Sequence, residues 1–160
     1  MSKEIPLTQN QVAIVDDDVF ESINQYHWYA TFKSKTWYAA RSLPRRDGKK
    51  NVYLHRIIMQ AGSEETVDHI DGNGLNCQRV NLRICTHEQN LHNAGPNRDN
   101  TSGYKGVVWL KNAHKWLAQI RGAGGHHYLG RYATAEEAAE AYNRAALKYH
   151  GEFARLNKIH

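Results

Sequence analysis

Apolar and polar positions along this chain change their period several times, and each change marks an element. Residues 5–15, IPLTQNQVAIV, place two apolar runs around a polar middle and predict a hairpin turning near Gln9-Asn10. Asp16 to Asp18 follow and predict a short helix over VFESINQY, because negative charge in a first turn suits the helix macrodipole. HWYATF (27–32) and TWYAARSL (36–43) are aromatic and β-rich and predict two strands. Residues 45–50, RRDGKK, predict a turn, and the apolar VYLHRIIMQA (52–61) a helix. VDHI (67–70) and NLRICT (81–86) predict short strands on either side of the loop IDGNGLN (70–76). THEQNLHN opens a helix, since Thr86 followed three residues later by Gln89 forms a capping box.

The turn-rich AGPNRDNTSG (94–103) predicts a boundary. Beyond it YKGVVWL, KWLAQIRG and HHYLGRYA predict three strands. In the middle one, Trp116, Ala118 and Ile120 share one face, and Lys115, Gln119 and Arg121 the other. A long helix follows, opened by a capping box of Thr134 and Glu137. Its apolar stripe is Ala138, Tyr142, Ala145, Ala146 and Tyr149, and Gly151 ends it. Three strands under one amphipathic helix form a complete two-layer unit. The reading is therefore α+β, with domains at 1–95 and 96–160.

Charge sharpens this division. Residues 1–96 carry 11 Lys and Arg against 11 Asp and Glu, whereas residues 97–160 carry 10 against 5 and hold the whole net charge of +5. A basic second half points to a polyanion, with nucleic acid ahead of an anionic membrane. Two cysteines make no disulfide framework. No apolar run approaches the roughly 18 residues of a membrane span, and MSKEIPLTQN lacks the apolar core of a signal peptide. The expectation is a cytoplasmic protein without a membrane partner.

The densest polar chemistry lies in Asp68-His69, Asn81, His87, Asn90, His92 and Asn93. Phosphodiester cleavage needs an activated water, positive charge at phosphate and a stabilised leaving oxygen. A neutral imidazole can take the water's proton, and a carboxylate with an amide oxygen suits Mg²⁺. Other chemistries fit less well. His87-Glu88 with His92 has the second histidine at i+5 rather than the i+4 of a zincin helix. Asp71-Gly-Asn-Gly-Leu-Asn starts like a calcium loop, but its sixth position is Asn76 and its twelfth Leu82. Cys77 and Cys85 with His87 lack a CxxC pair for zinc. There is no GxxxxGK[ST] phosphate loop.

Asp68-His69-Ile-Asp-Gly-Asn, then Asn81-Leu-Arg, then Asn90-x-x-Asn93 resembles the HNH, or ββα-metal, nuclease motif of phage- and intron-encoded homing endonucleases. The preceding VYLHRIIM and the early IPLTQNQVAIVD…YHWYA are similar to the same family, so the resemblance covers residues 5–95. It implies a ββα core at 67–93, with His69 as general base, Asn81 holding the loop and orienting it, and Asp68 and Asn90 binding Mg²⁺ or Mn²⁺. His55 matches a family position that could contact phosphate or simply pack. Neighbours on a strand point to opposite faces, so Asp68 and His69 serve one site only if the strand ends or bends there.

Residues 102–157 resemble a second family, the APETALA2-type DNA-binding domain, through SGYKGV, KWLAQIR, YLGRY, TAEEAAEAY and GEFARLN. The resemblance implies that the three-stranded sheet enters the major groove. It puts Lys105, Lys115, Gln119, Arg121, His126 and Tyr128 on the DNA-facing surface, with Trp109 and Lys111 beside them. Val108, Gln119 and Tyr128 stand where plant members often have Arg, Glu and Trp, so the plant target sequence does not carry over. Together the two resemblances imply a metal-dependent DNA endonuclease acting on duplex DNA, with a homodimer if both strands are cut. The rival readings are a DNA-binding regulator derived from such a nuclease, and an RNA-binding or structural module.

Overall fold

The computed structural model describes residues 1–45, 48–122 and 124–159, in two compact units, Met1–Asn90 and Leu91–His160. Both mix helices with small antiparallel sheets.

In the first unit, β1 (Ser2–Pro6) and β2 (Val12–Asp16) form the expected hairpin. Gln9 and Asn10 turn it at φ of 59° and 55°. Helix α1 (Asp17–Asn24) starts on two aspartates. Strands β3 (Tyr29–Lys33) and β4 (Thr36–Arg45) pair next, and β4 pairs onward with β5 (Gly48–Tyr53). Here the structure corrects the sequence reading twice. Gly48 to Lys50 belong to a strand rather than a turn, while Arg46 and Asp47 lie outside the described residues. Helix α2 is only Leu54–Ile58, because Val52 and Tyr53 are still in β5, opposite Arg41 and Ala40. An apolar run this short has no period that separates helix from strand, and the open edge of β4 decides it.

Strand β6 (Thr66–His69) pairs with β7 (Leu82–Cys85), which leads through Thr86 into α3 (His87–Asn93). Asn81 is not in the strand but ends a 3-10 turn, Arg79–Asn81. The predicted cap is formed: Gln89 N donates to Thr86 Oγ1 at 3.2 Å, and Thr86 N to Gln89 Oε1 at 2.8 Å. Ile5, Val15, Leu54, Leu75 and Cys77 centre the core. The loop before the turn is threaded into it, since Ile14 N donates to Leu75 O and Cys77 N to Ile14 O. Gly74 is required by close approach: a Cβ there would lie 2.7 Å from the Tyr38 ring and against the Trp37 carbonyl.

The second unit holds β8 (Val107–Leu110), β9 (Lys115–Gly122) and β10 (Gly125–Tyr132) in the order β10-β9-β8, packed on α4 (Ala135–His150). Ala123 lies outside the described residues. The α4 capping box is complete, and Gly151 follows the helix at φ 55°. From the predicted stripe Ala138, Tyr142 and Ala146 are buried, with Ala145 and Tyr149 half-buried at its margin. Val107, Ala118 and Ile120 meet them from the sheet.

Candidate active site and nucleic-acid interface

Two hydrogen-bonded strands and the turn before the second one position Asp68, His69 and Asn81. Cross-strand pairing sets Asp68 directly opposite Arg83 and His69 opposite Leu82. Arg83 Nε and Nη2 donate to Asp68 Oδ2 at 2.9 and 2.7 Å, and both side chains are largely buried. A buried ion pair fixes the carboxylate in one orientation. The register stays regular through His69, where the strand ends, and the chain turns just after it: Gly72, at φ 77°, donates its N–H to His69 O at 2.9 Å.

Asn81 wires the loop that follows. Its Oδ1 accepts from Asp71 N at 3.0 Å, and its Nδ2 donates to Asp71 Oδ1 at 3.0 Å and to Asn76 O at 2.8 Å. Ile70 N also donates to Asn81 O. Asp71 accepts further from Asn73 N and Asn76 Nδ2, both at 2.8 Å. Partial burial works to raise its carboxyl, yet these donors outweigh it and hold Asp71 below the usual carboxylate range. The carboxylate that gives this segment its calcium-loop look is thus engaged within the loop.

His69 points into a nest of rings. His55 lies edge-on at 4.9 Å and Tyr38 at 5.8 Å, and Tyr53 stacks on His55 at 5.7 Å. Burial lowers His69 to about 4, against an upward pull from Asp71 and Asp68. Burial lowers His55 to about 3, helped by His69 and Arg56. Both rings are therefore neutral near pH 7, the state a general base requires. The Nδ1 of His55 is buried with no hydrogen-bond partner, which agrees with packing rather than with phosphate contact at that atom. Both folded-state values lie below the ordinary 6.5 of histidine. The unfolded chain therefore binds more protons in the interval, and stability present above about pH 6.5 is lost as pH falls toward 4. Urea unfolding should show a lower midpoint at pH 5 than at pH 7, and His55→Phe should reduce that difference. Equal midpoints would contradict the buried neutral pair.

Asn90 sits in the first turn of α3, half-exposed, its N–H bonded to Thr86 O. Among the described residues no three His, Cys, Asp or Glu side chains converge as a metal-binding group. The donor set expected from the sequence is smaller, one carboxylate (Asp68) and one amide oxygen (Asn90). Both are hard oxygens of the kind Mg²⁺ and Mn²⁺ take, alongside water and phosphate. The competing metal sites lose ground. Burial pushes the Cys77 thiol up to about 12, away from the thiolate that zinc needs. His87 and Glu88 are exposed, and His92 stacks on His150 at 3.7 Å.

In the second unit, register sorts the predicted DNA-facing residues. Lys115, Gln119 and Arg121 alternate with the core residues of β9, and His126 and Tyr128 pair with Arg121 and Gln119 on the same outer face. Arg131, opposite Leu117, joins them and was missed from the sequence. Lys111 is exposed in the turn after β8. Two expected members lie off this face. Trp109 pairs with Trp116 on the helix-facing side and packs on it at 5.0 Å. Lys105 turns its ammonium to the carbonyls of Leu91, His92 and Ala94, at 3.2, 2.5 and 2.6 Å. Burial, with Arg155 adding to it, lowers Lys105 to about 8. The carbonyls left open at the end of α3 accept hydrogen bonds from the ammonium, while burial there still disfavours its charged form relative to water.

The HNH endonuclease family profile matches residues 52–92, and the AP2 domain profile residues 102–152. The chain is 32% identical over 148 residues to "Uncharacterized HNH endonuclease L560" of Acanthamoeba polyphaga mimivirus, covering 92% of this chain and 75% of that protein. It is 37% identical over 90 residues to "Protein 3.8" of Escherichia phage T7, covering 56% of this chain and 74% of that one. APETALA2-like protein 2 of Oryza sativa subsp. indica is 41% identical over 63 residues, which are 39% of this chain and 14% of the plant protein. No solved structure matches the chain.

Proposed function

The chain belongs to the HNH endonuclease family and carries an AP2 domain, and from that premise we propose that it is a metal-dependent DNA endonuclease in which a ββα-metal core at 67–93 cuts and the AP2 sheet holds the duplex. The observation that carries the reading is His69, a buried neutral imidazole at the end of β6, beside a carboxylate clamped by Arg83 and ahead of a loop locked by Asn81. His69 accepts the proton of an attacking water. The new bond forms between that oxygen and phosphorus as the bond to the 3′ oxygen breaks, leaving a 3′-hydroxyl and a 5′-phosphate. Asp68 and Asn90 would hold Mg²⁺ or Mn²⁺. When bound, that ion supplies positive charge against the phosphate and the departing oxygen. Asn81 acts through the loop and keeps His69 at the strand end. Arg83 keeps the Asp68 carboxylate from rotating. None of the described helices is long and apolar enough to cross a membrane.

Removing divalent metal with EDTA should stop cutting of duplex DNA while gel-shift binding persists, and fragments made with Mg²⁺ should be rejoined by ligase without end repair. Cutting that survives EDTA would overturn the metal role. Binding without cutting on many DNAs would favour a DNA-binding regulator instead.

A further inference from the structure

Cross-strand register arranges the outer face of the β8–β10 sheet in rows. Val108, Leu117 and Arg131 form one row, and Gln119 with Tyr128 the next. Lys115 lies beyond the first row and Arg121 beyond the second. Cations therefore sit at both ends of the face and along its β10 edge, while the centre is apolar and amide. That centre is accessible: Val108 is 43% exposed and Tyr128 65%, with Leu117 and Gln119 half-buried between them.

A face that binds duplex DNA meets two different chemistries. Phosphates call for positive charge at the periphery, and base edges call for matched donors, acceptors or apolar contact at the centre. The apolar group on a major-groove base edge is the thymine methyl. A carboxamide, with one donor and one acceptor side by side, matches adenine N6 and N7, whereas guanine offers two acceptors better met by Arg or Lys. No cation occupies the two central rows except Arg131, at the edge. Leu117 and Gln119, two residues apart on one strand, are separated by about 7 Å. That is about two base-pair rises of roughly 3.4 Å.

We propose that the centre of this face selects A·T pairs in the major groove, with Val108 and Leu117 against a thymine methyl and Gln119 on an adenine two base pairs away. The proposal rests on the reading that this sheet holds duplex DNA. Its test is a binding selection from a random-sequence duplex pool, using the full chain in EDTA. The recovered duplexes are then remade with uracil for thymine, and separately with 7-deazaadenine for adenine. Enrichment of A·T pairs is expected, with about tenfold weaker binding on each substitution. Val108→Ala should erase the thymine–uracil difference, and Gln119→Ala the adenine–7-deazaadenine difference. Both positions are solvent-accessible, so the variants should fold. G·C enrichment, no enrichment, or indifference to both substitutions would overturn the proposal. A Lys115→Ala/Arg121→Ala variant separates the premise: its binding should weaken and its logarithmic salt slope fall by about 2. Unchanged binding there would remove the sheet from DNA recognition altogether, and the proposal with it. Weakened binding in that variant without A·T preference in the pool would overturn the proposal alone.

Discussion

Gly106→Ala is expected to destabilise the second unit by about 3 kcal/mol and to abolish DNA binding at ordinary temperature. Two effects add. Gly106 sits at φ 76°, where a side chain costs roughly 1 kcal/mol. Its new Cβ would also fall on the Tyr142 ring and against the Gln119 carbonyl. Tyr142 is 2% exposed and anchors α4 against the sheet, so it has no route of retreat, and such overpacking costs roughly 2 kcal/mol. The molecule contains its own control. Gly103 has the same φ of 76° but open space where its Cβ would lie. Gly103→Ala should cost only the roughly 1 kcal/mol of conformation. Urea unfolding of both variants separates the terms, and equal losses would show that close approach to Tyr142 is not the cause.

His69→Ala is expected to lower the single-turnover cleavage rate by about 10³, within the usual range for loss of a general base, while DNA affinity stays unchanged. The ring is neutral because burial among His55 and Tyr38 disfavours its charged form. His92 is held in a stack on His150 at 3.7 Å. His87 is exposed at the start of α3, so His87→Ala should leave the rate within about twofold, as expected of a surface substitution. A comparable loss in both variants would move the base away from His69.

Features set by neighbouring residues were legible in the sequence. Both capping boxes, the Gln9-Asn10 turn, the period of two in β9 and the apolar stripe of α4 need only local spacing, and the structure has each of them. What was not legible depends on partners far along the chain. Strand β5 exists because β4 offers it an edge, which no window around residues 48–53 reveals. The Arg of the Asn81-Leu-Arg motif is opposite Asp68 through the β6–β7 register, fifteen residues away. The ring cluster joins Tyr38 of β4, His55 of α2 and His69 of β6. The APETALA2 resemblance puts Lys105 on the DNA-facing surface, whereas its ammonium meets the carbonyls at the end of α3. The resemblance puts Trp109 beside that surface, whereas pairing with Trp116 turns it toward the helix.

Incubation of supercoiled plasmid with the purified chain in Mg²⁺, beside His69→Ala under the same conditions, tests the central claim most directly. Metal-dependent conversion to open-circular or linear DNA is expected of the unaltered chain, and no conversion of the variant over the same time. Equal conversion by both would contradict the assignment of His69, and none by either, on DNA that the chain demonstrably binds, would contradict the endonuclease itself.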